Sequence, residues 1–519
     1  MKKTVFSVRV LLLMLALAMV FSTFVACSTE DDLGADENNQ NGQNNGNSII
    51  TDKYGNVLDP EFYDSNGFLK DDLGDDLNFE KEFLVLSGKE QQWSLGSTEE
   101  MRGNVIGEAI YARNDMVEER LGITIKWDPQ PNFQWKDQQT FMARVENDVK
   151  VSQSYGAVVS YNLIPYPLAM KGILNNLANN DYINLEKPWW PSAFLDQILY
   201  RDQIYALVSA SEKSSLENLS AIYFNNTLID AYDLESPYDL VKNNEWTVET
   251  LREMIKGTYN DANGNGSVDE RDQFGLSTST NARLSSWYFG MGVKLVSRNA
   301  NGDLVLNAGD AKVGDAIDTI VDLFGSQDAN LVDDLNSDPA LNNTYPMFTE
   351  GRALFYLATL YMGEYCTSKD IKLNYGVAPM PKLNSEQDRY YTHMPNNHPA
   401  WFIPISADDF DCSSAFIECM ASEAYRQIEP VYYENCIKLR YAPDERLADM
   451  YDLIRDNITF DMNFVFRFYN TFDYDCDTYI RQCITSPNSN SWSSSWGKIK
   501  NVVETKFQEI VTFYDGRAK

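Results

Sequence analysis

Apolar and polar positions alternate between strand-like and helix-like patterns from residue 82 onward. Residues 83–86 form a short continuous apolar run, which is typical of a strand buried on both faces. Apolar residues then recur at helical spacing over 106–121, and they alternate with polar residues over 123–127 as in a half-buried strand. The pattern predicts a strand, a helix and a second strand in succession.

The same alternation recurs along the chain. Further strands are predicted at 156–159, 204–208, 220–224, 352–357, 375–378 and 401–403. Further helices are predicted near 167–177, 248–259, 311–324 and 415–425. Alternating strands and helices favour α/β layers with a mostly parallel sheet. Because the chain is too long for one ordinary core, we expect two interleaved α/β lobes crossed by hinge strands.

Composition divides the chain into a leader, a tether, a lead-in and the two lobes. Residues 27–49 are dominated by Asn, Gln, Gly and acidic residues, so they are predicted to be a disordered tether. Residues 50–81 are acidic and turn-rich, which indicates an extended lead-in. The first lobe is predicted to comprise 82–208 and 372–425, and the second lobe 209–371 and 426–519.

The first 26 residues have the pattern of a secretory signal. Lys2, Lys3 and Arg9 give a basic start, and 10–21 is an unbroken apolar run. This run is shorter than the roughly 20 residues of a membrane-spanning helix, which is the alternative interpretation. Residues 24–27, Phe-Val-Ala-Cys, resemble a bacterial lipobox, in which the thiol takes a diacylglyceryl group. The pattern predicts a lipoprotein that begins at Cys27 and is lipid-anchored at the extracytoplasmic face of the cell membrane.

Charge and residue usage exclude several partners. The chain has 43 basic and 76 acidic residues and a net charge of -33, so it repels phosphate backbones and nucleic acid is not expected as a partner. Only two histidines occur, His393 and His398, and there is no Cys-x-x-Cys motif, so a zinc site of the usual kind is not expected. The cysteines after Cys27 permit either disulfides or buried thiols.

Segments spread over 107–382 resemble one family of proteins. In chain order they are GEAIYARN at 107–114, VEERL at 117–121, PWW at 188–190, AIYFNN at 221–226, PYDLV at 237–241, EWT at 245–247, FTEGRALF at 348–355 and YGVAPMPK at 375–382. The chain resembles the extracellular solute-binding proteins of ABC sugar importers, of the maltodextrin-binding type and especially its lipoprotein forms. The resemblance implies a periplasmic-binding-protein-like α/β fold with two lobes, a ligand held in the cleft between them, and closure on binding.

Residues 261–272, DANGNGSVDERD, match the spacing of an EF-hand calcium loop. Gly266 occupies the sixth position, where a positive φ is needed, and Asp272 closes the loop at the position where Glu is usual. The alternative is an Asn/Gly-rich turn. We expect a structural calcium ion, with oxygen ligands from Asp261, Asn263, Asn265, Ser267 through its carbonyl, Asp269 and Asp272.

Sugar sites combine aromatic platforms with carboxylates and amides. Aromatic residues that come just after strands are therefore the candidates for ligand contact, together with nearby hydrogen-bonding side chains. Packing roles are the alternative for each aromatic residue. The predicted ligand-binding residues are Gln92, Trp93, Tyr161, Glu212, Trp287, Tyr361 and Trp401.

The sequence favours a binding protein and not an enzyme. It contains no Gly-x-Ser-x-Gly, no His-Glu-x-x-His and no Walker phosphate loop. We expect a monomeric surface protein that captures a carbohydrate and delivers it to the permease subunits of an ABC transporter. An oligosaccharide is the preferred kind of carbohydrate. The alternatives are a calcium-dependent glycoside hydrolase or polysaccharide lyase displayed as a lipoprotein, a glycan-capture protein built of helical repeats that pairs with a TonB-dependent transporter, and a binding protein for a peptide or another solute.

Overall fold

The computed structural model describes residues 50–51, 56–96, 103–269, 271–279, 284–332, 344–367, 371, 373–395, 398–442, 445–466, 476–488 and 490–517. The chain divides into two compact units, 1–67 and 68–519. The predicted signal peptide, Cys27 and the predicted tether lie outside the described residues. The described part of the first unit is a short turn with an antiparallel bridge between Thr51 and Val57.

The second unit is an α/β structure. Its strands are β1 (Lys81–Gly88), β2 (Ile123–Gln130), β3 (Ala157–Tyr161), β4 (Ser220–Asn225), β5 (Phe274–Ser279), β6 (Val296–Arg298), β7 (Leu304–Leu306), β8 (Ala329–Val332), β9 (Ala353–Thr359), β10 (Tyr375–Ala378), β11 (Thr392–His393), β12 (Pro399–Phe402) and β13 (Ile458–Thr459). Its α-helices are α1 (Gln92–Leu95), α2 (Val105–Leu121), α3 (Trp135–Asn147), α4 (Pro165–Met170), α5 (Ser192–Ile198), α6 (Lys213–Glu217), α7 (Asn226–Ala231), α8 (Pro237–Lys242), α9 (Val248–Ile255), α10 (Ser285–Gly290), α11 (Ala311–Phe324), α12 (Thr344–Thr349), α13 (Tyr361–Cys366), α14 (Phe410–Glu423), α15 (Glu445–Asp456), α16 (Met462–Phe466), α17 (Cys476–Thr485) and α18 (Trp492–Asp515).

Two separate sheets form the centres of two lobes. The first sheet has the order β12-β3-β1-β2, in which β3, β1 and β2 are parallel and β12 is antiparallel to β3. The second has the order β10-β4-β9-β5-β8, in which β9, β5 and β8 are parallel and β4 runs antiparallel to both of its neighbours. The predicted α/β class with two lobes is confirmed.

Local sequence explains the helices that cover these sheets. In α2 the Asn104 side chain accepts a hydrogen bond from the Gly107 amide at 2.8 Å and caps the N-terminus. The helix ends at Gly122, whose φ of 62° is easily adopted only without a Cβ. Ile110, fully buried, lies on the face that packs into the core, so helical periodicity and burial agree.

The register of the strands fixes where the chain passes between the lobes. Leu207 bridges Trp401 in the antiparallel sense, so the chain leaves the first sheet at the edge where β3 ends. It enters the second sheet at Ser220, which pairs with Thr359 at the end of β9. It returns through β12, whose first residue pairs with Tyr161 at the end of β3. The crossings therefore join the carboxyl edges of the parallel strands in the two sheets.

One of the predicted lobe boundaries is wrong, and one segment contacts both lobes. The prediction placed 372–425 in the first lobe, but β10 pairs with β4 in the second sheet, so the boundary falls after Ala378. It also placed 426–519 in the second lobe. This segment contacts the second lobe, where the Trp492 indole donates to the Ala308 carbonyl at 3.0 Å. It also contacts the first lobe, because the Tyr514 hydroxyl donates to the Ile198 carbonyl at 3.2 Å. Short apolar segments show that an element is buried, but they do not show which sheet it joins.

Some predicted elements are shorter than their patterns indicated. The helix predicted at 167–177 ends before Gly172, with φ 79°, and the helix predicted at 248–259 ends before Gly257, with φ 75°. Residues 204–208 are extended but make only an isolated bridge to β12. Conversely, 410–440 is one continuous helical run, because α14 passes into π-helical segments at Ala424–Ile428 and Pro430–Arg440.

The six cysteines after Cys27 are buried free thiols, which answers the question that the sequence left open. Both histidines lie in the segment that returns to the first lobe, and both are buried. Burial lowers the pKa of His393 to about 3 and that of His398 to about 4, so both imidazoles are neutral at physiological pH. The His393 ring stacks on Phe289, with 4.5 Å between centroids.

Burial of the neutral His393 makes stability depend on pH. The unfolded imidazole binds a proton below a pKa of about 6.5, whereas the folded one does not until about pH 3, so stability present above pH 6.5 is lost as the pH falls. His393→Phe keeps the stacking on Phe289. In urea titrations we expect wild type to lose about 2 kcal/mol more than this variant between pH 7 and 5. Parallel curves for the two proteins would contradict the assignment.

Candidate functional site

The carboxyl edge of the first sheet brings three strand ends together. Gly88 at the end of β1 pairs with Gln130 at the end of β2, and Ser87 pairs with Val159 two residues before the end of β3. The segments that follow these strands therefore meet above the sheet. In parallel α/β sheets this edge is where ligands bind.

Four aromatic residues lie at or just after these three strand ends and form what we call the aromatic edge: Trp93, Phe133, Trp135 and Tyr161. Trp93 is 50% exposed, Phe133 43% and Trp135 45%, which is unusual for large rings in a chain with an ample core. Phe133 contacts Tyr161 edge to face, with 5.5 Å between ring centroids. Exposed rings grouped in this way provide apolar faces for a ligand.

A tight turn holds the aromatic edge in place. The backbone amide of the fully buried Asn132 donates to Glu90 at 3.0 Å, which joins the turn after β1 to the loop after β2. A Cβ on Gly88 would lie 1.9 Å from the Gln91 side-chain oxygen and 2.2 Å from the Asn132 side chain. A larger residue would force the Gln91 and Asn132 side chains to move, so Gly88 favours the close packing of the two loops.

Two buried side chains beside the aromatic edge have polar atoms without hydrogen-bond partners. Asn162 is 1% exposed, and neither end of its amide is hydrogen-bonded. His398 is fully buried; its Nδ1 lies 2.8 Å from the Pro395 carbonyl, and its Nε2 is unpartnered. Because Tyr161 pairs with Pro399, these two residues are neighbours across β3 and β12. A neutral imidazole whose Nδ1 donates presents Nε2 as an acceptor, so the pair offers one donor and two acceptors.

Glu212, predicted to contact the ligand, is instead fully buried in an ion pair. Its Oε1 accepts from Arg113 at 2.8 Å and its Oε2 accepts from the Ser94 hydroxyl at 3.0 Å, and neither charged side chain has any exposed surface. Arg113 also donates to the Ser94 and Leu95 carbonyls at 3.1 and 3.2 Å. Desolvated charges require such partners, so Glu212 ties the crossing to the turn that carries Trp93.

Two further residues of the predicted ligand site are buried in the core, whereas the other two that have not yet been described are partly exposed. Trp287 is fully buried against Phe324, and Trp401, 1% exposed, packs on Phe416, so both rings lie in the hydrophobic core and not at the sheet edge. The position of an aromatic residue relative to a strand in the sequence does not show whether its ring points into the core or toward solvent. Gln92 is half-buried in α1 beside Trp93, and Tyr361, 37% exposed, begins α13 at the carboxyl edge of the second sheet.

The predicted metal loop joins α9 to β5 in the second lobe. Its ends are closed by an antiparallel bridge between Asn260 and Gln273. Gly266 has φ 73°, and its amide donates to Asp261 Oδ2 at 2.9 Å. The side-chain amides of Asn263 and Asn265 donate to the two oxygens of Asp269 at 2.9 and 2.6 Å. The predicted side chains therefore converge in one loop.

Sequence reasoning missed Phe133, Trp135, Asn162 and His398. Phe133 and Trp135 follow β2 as Trp93 follows β1, so the rule that selected Trp93 would also have found them. The two polar residues give no such signal. They become candidates only because β3 and β12 pair and leave them buried without partners.

Solved structures share this fold. A cyclo/maltodextrin-binding protein complexed with maltotetraose has a TM-score of 0.54 and 12% identity, over 82% of this chain and 97% of that one. The maltose-binding periplasmic protein from Listeria monocytogenes in complex with maltose has a TM-score of 0.51 and 14% identity, over 83% and 98%. An ABC substrate-binding protein from Listeria monocytogenes in complex with cycloalternan has a TM-score of 0.50 and 12% identity, over 83% and 99%.

No protein-family model and no curated protein sequence matches the chain. At these identities the likeness to solved structures establishes the fold. The predicted periplasmic-binding-protein-like architecture is confirmed, because the chain has the two-lobed fold of ABC substrate-binding proteins. Among the described residues, no helix is long and apolar enough to cross a bilayer.

Removing one member of the buried ion pair should destabilise the protein strongly. Arg113→Met leaves Glu212 charged and unpaired inside the protein, so we expect the free energy of unfolding to fall by about 3–5 kcal/mol. The double variant Arg113→Met/Glu212→Gln should recover much of this loss. Urea denaturation measures both values.

The matched control is Lys500→Met, which breaks an exposed pair with Glu504 in α18. We expect it to change the unfolding free energy by no more than about 0.5 kcal/mol. An equal loss in both single variants would show that Arg113 has no special role at the crossing.

Proposed function

We propose that this chain is a monomeric extracytoplasmic binding protein that captures a carbohydrate between its two lobes and delivers it to an ABC transporter. The observation that carries the proposal is the aromatic edge, at the carboxyl ends of the parallel strands and beside the crossings. Large rings that remain substantially exposed at one edge of a sheet are typical of an interaction site. They provide surfaces for a ligand.

The chemistry of the edge matches a neutral sugar. Sugar rings have apolar C–H faces that stack on aromatic side chains and hydroxyls that both donate and accept hydrogen bonds. Asn162 and His398 supply the complementary donor and acceptors, and a ligand hydroxyl would satisfy groups that are otherwise buried at a cost. Both side chains are uncharged, which favours a neutral ligand over an ionic one.

The structural neighbours support the same substrate class. The cyclo/maltodextrin-binding protein and the two Listeria monocytogenes proteins are binding proteins, and they hold maltotetraose, maltose and cycloalternan. Their fold is matched over nearly their whole length. We infer that this chain binds an oligosaccharide and is not an enzyme.

Closure of the two lobes is the proposed mechanism. Tyr361 lies at the carboxyl edge of the second sheet, and the aromatic edge lies at that of the first, so a ligand that contacts both favours a closed state. The crossings are the hinges. The buried pair of Arg113 and Glu212 fixes Trp93 relative to one of them, so movement of the hinge is coupled to the site. The permease subunits would recognise the closed state.

The binding site can be tested with Trp93→Ala and Phe133→Ala in calorimetric titrations against neutral oligosaccharides, including maltotetraose, maltose and cycloalternan. We expect wild type to bind at least one of them, and each variant to bind it about tenfold more weakly, which corresponds to about 1.4 kcal/mol. X-ray scattering should show a smaller radius of gyration with the ligand than without it.

Tyr232→Ala is the control, since this ring is 38% exposed but follows α7 in the second lobe. Its affinity should equal that of wild type. Unchanged affinity in the Trp93 and Phe133 variants would reject the site, and binding of peptides but not of sugars would reject the substrate class. New reducing ends or unsaturated products after incubation with the bound sugar would support the hydrolase or lyase alternative.

We also propose that Cys27 anchors the protein. The basic start, the apolar run and the lipobox-like residues before Cys27 are the support, and the Asn-rich residues 28–49 would tether the lobes near the permease. In bacteria fed an alkyne fatty acid, wild type should carry the label and sediment with membranes. Cys27→Ser should do neither, whereas Cys436→Ser should behave as wild type. A labelled Cys27→Ser variant would contradict the anchor.

A further inference from the structure

We propose that residues 261–272 bind one calcium ion that stabilises the second lobe at the edge of its sheet opposite to the ligand site. The loop enters β5 at its first residue, Phe274, and so lies at the amino edge, whereas Tyr361 follows the carboxyl end of β9. The ion is therefore structural and remote from the ligand.

Asp272 is the observation beyond loop spacing that points to a cation. Its side chain is fully buried, and Oδ1 has no hydrogen-bond partner. Oδ2 accepts from the Asp269 amide at 3.1 Å and from the Tyr259 hydroxyl at 2.9 Å, so the carboxylate faces the loop. A buried carboxylate oxygen without a donor is unfavourable unless a cation satisfies it.

The remaining ligands come from the loop itself. Asp261 is held in position by the backbone amides of Asn265 and Gly266, at 3.2 and 2.9 Å. The side-chain oxygens of Asn263 and Asn265 accept hydrogen bonds from the backbone amides of Asn265 and Ser267 at 2.9 and 2.7 Å. Each amide oxygen has a second lone pair, which is available to a cation. The Ser267 carbonyl is at the position where EF-hand loops use the backbone.

Calcium is the cation that suits this set of ligands. The proposed ligands comprise three carboxylates and several neutral oxygens, which matches the six to eight oxygen ligands that Ca²⁺ takes. As the side chains stand, no three His, Cys, Asp or Glu groups of the described residues form a metal cluster, so amide and carbonyl oxygens must contribute. Mg²⁺, which demands a small octahedron, fits such a loop less well.

The position of Asp272 shows what the ion would stabilise. The Arg352 guanidinium, next to β9, donates to the Asp272 carbonyl at 3.4 Å. The bridge from Asn260 to Gln273 joins the other end of the loop to the start of β5. A loop fixed by the ion would therefore hold the first residues of β5 and β9, which are neighbours in the second sheet. Calcium should then raise the thermal stability of the protein.

The test is a titration of the chelator-treated full chain with Ca²⁺ by calorimetry, together with Tb³⁺ luminescence excited through Tyr259. Wild type should bind one Ca²⁺, unfold at a higher temperature with it, and sensitise Tb³⁺ in a way that Ca²⁺ reverses. Asp272→Asn and Asp261→Asn should each weaken Ca²⁺ binding by about tenfold or more. Asp261 is only half-buried, so its variant serves if the other does not fold.

Asp303→Asn is the matched control, because it removes one acidic charge from another Asn/Gly turn of the same lobe, between β6 and β7. Its Ca²⁺ affinity should equal that of wild type. The proposal is overturned if wild type shows no saturable Ca²⁺ binding, or if the Asp272 and Asp261 variants bind Ca²⁺ as wild type does. Sugar affinity is not part of the test, so its outcome is independent of the ligand site.

Discussion

Two opposite charges without any exposed surface must be paired, and Arg113 and Glu212 satisfy this requirement at the place where the chain leaves the first lobe. Arg113 comes from α2, which covers the first sheet, and Glu212 comes from the crossing segment. Through Ser94 the same network holds the turn that carries Trp93. The position of the exposed Trp93 ring and that of the crossing therefore depend on one desolvated interaction, and neither can move without disturbing the other.

The strand order explains why a site forms at the junction of the lobes. The parallel strands of both sheets end at the edges where the chain crosses, so segments that follow different strands meet there. Each segment contributes one or two side chains, and none of them would form a site alone. A rigid sheet positions these segments, and the loops after its strands are free to carry exposed rings and unpartnered polar groups.

The two edges of the second sheet have different chemistry. The carboxyl edge carries Tyr361, whereas the amino edge carries the acidic loop with Asp272. The proposed calcium ion would therefore lie away from the proposed ligand site, and binding of the one need not constrain the loops of the other.

The sequence by itself determined the α/β class, most elements, the two-lobed architecture and two of the exposed rings, Trp93 and Tyr361, because apolar periodicity and turn residues act within a few positions of the chain. Tertiary structure alone decided that Glu212 is paired inside the protein, that Trp287 and Trp401 lie in the core and that β10 joins the second sheet. It also decided that the Asn162 amide and His398 Nε2 are buried without hydrogen-bond partners. Each of these facts depends on contacts between residues far apart in the chain. Local patterns carry no information about which distant strand or charge will be the neighbour, so burial, pairing and the composition of the site emerge only when the sheets are assembled.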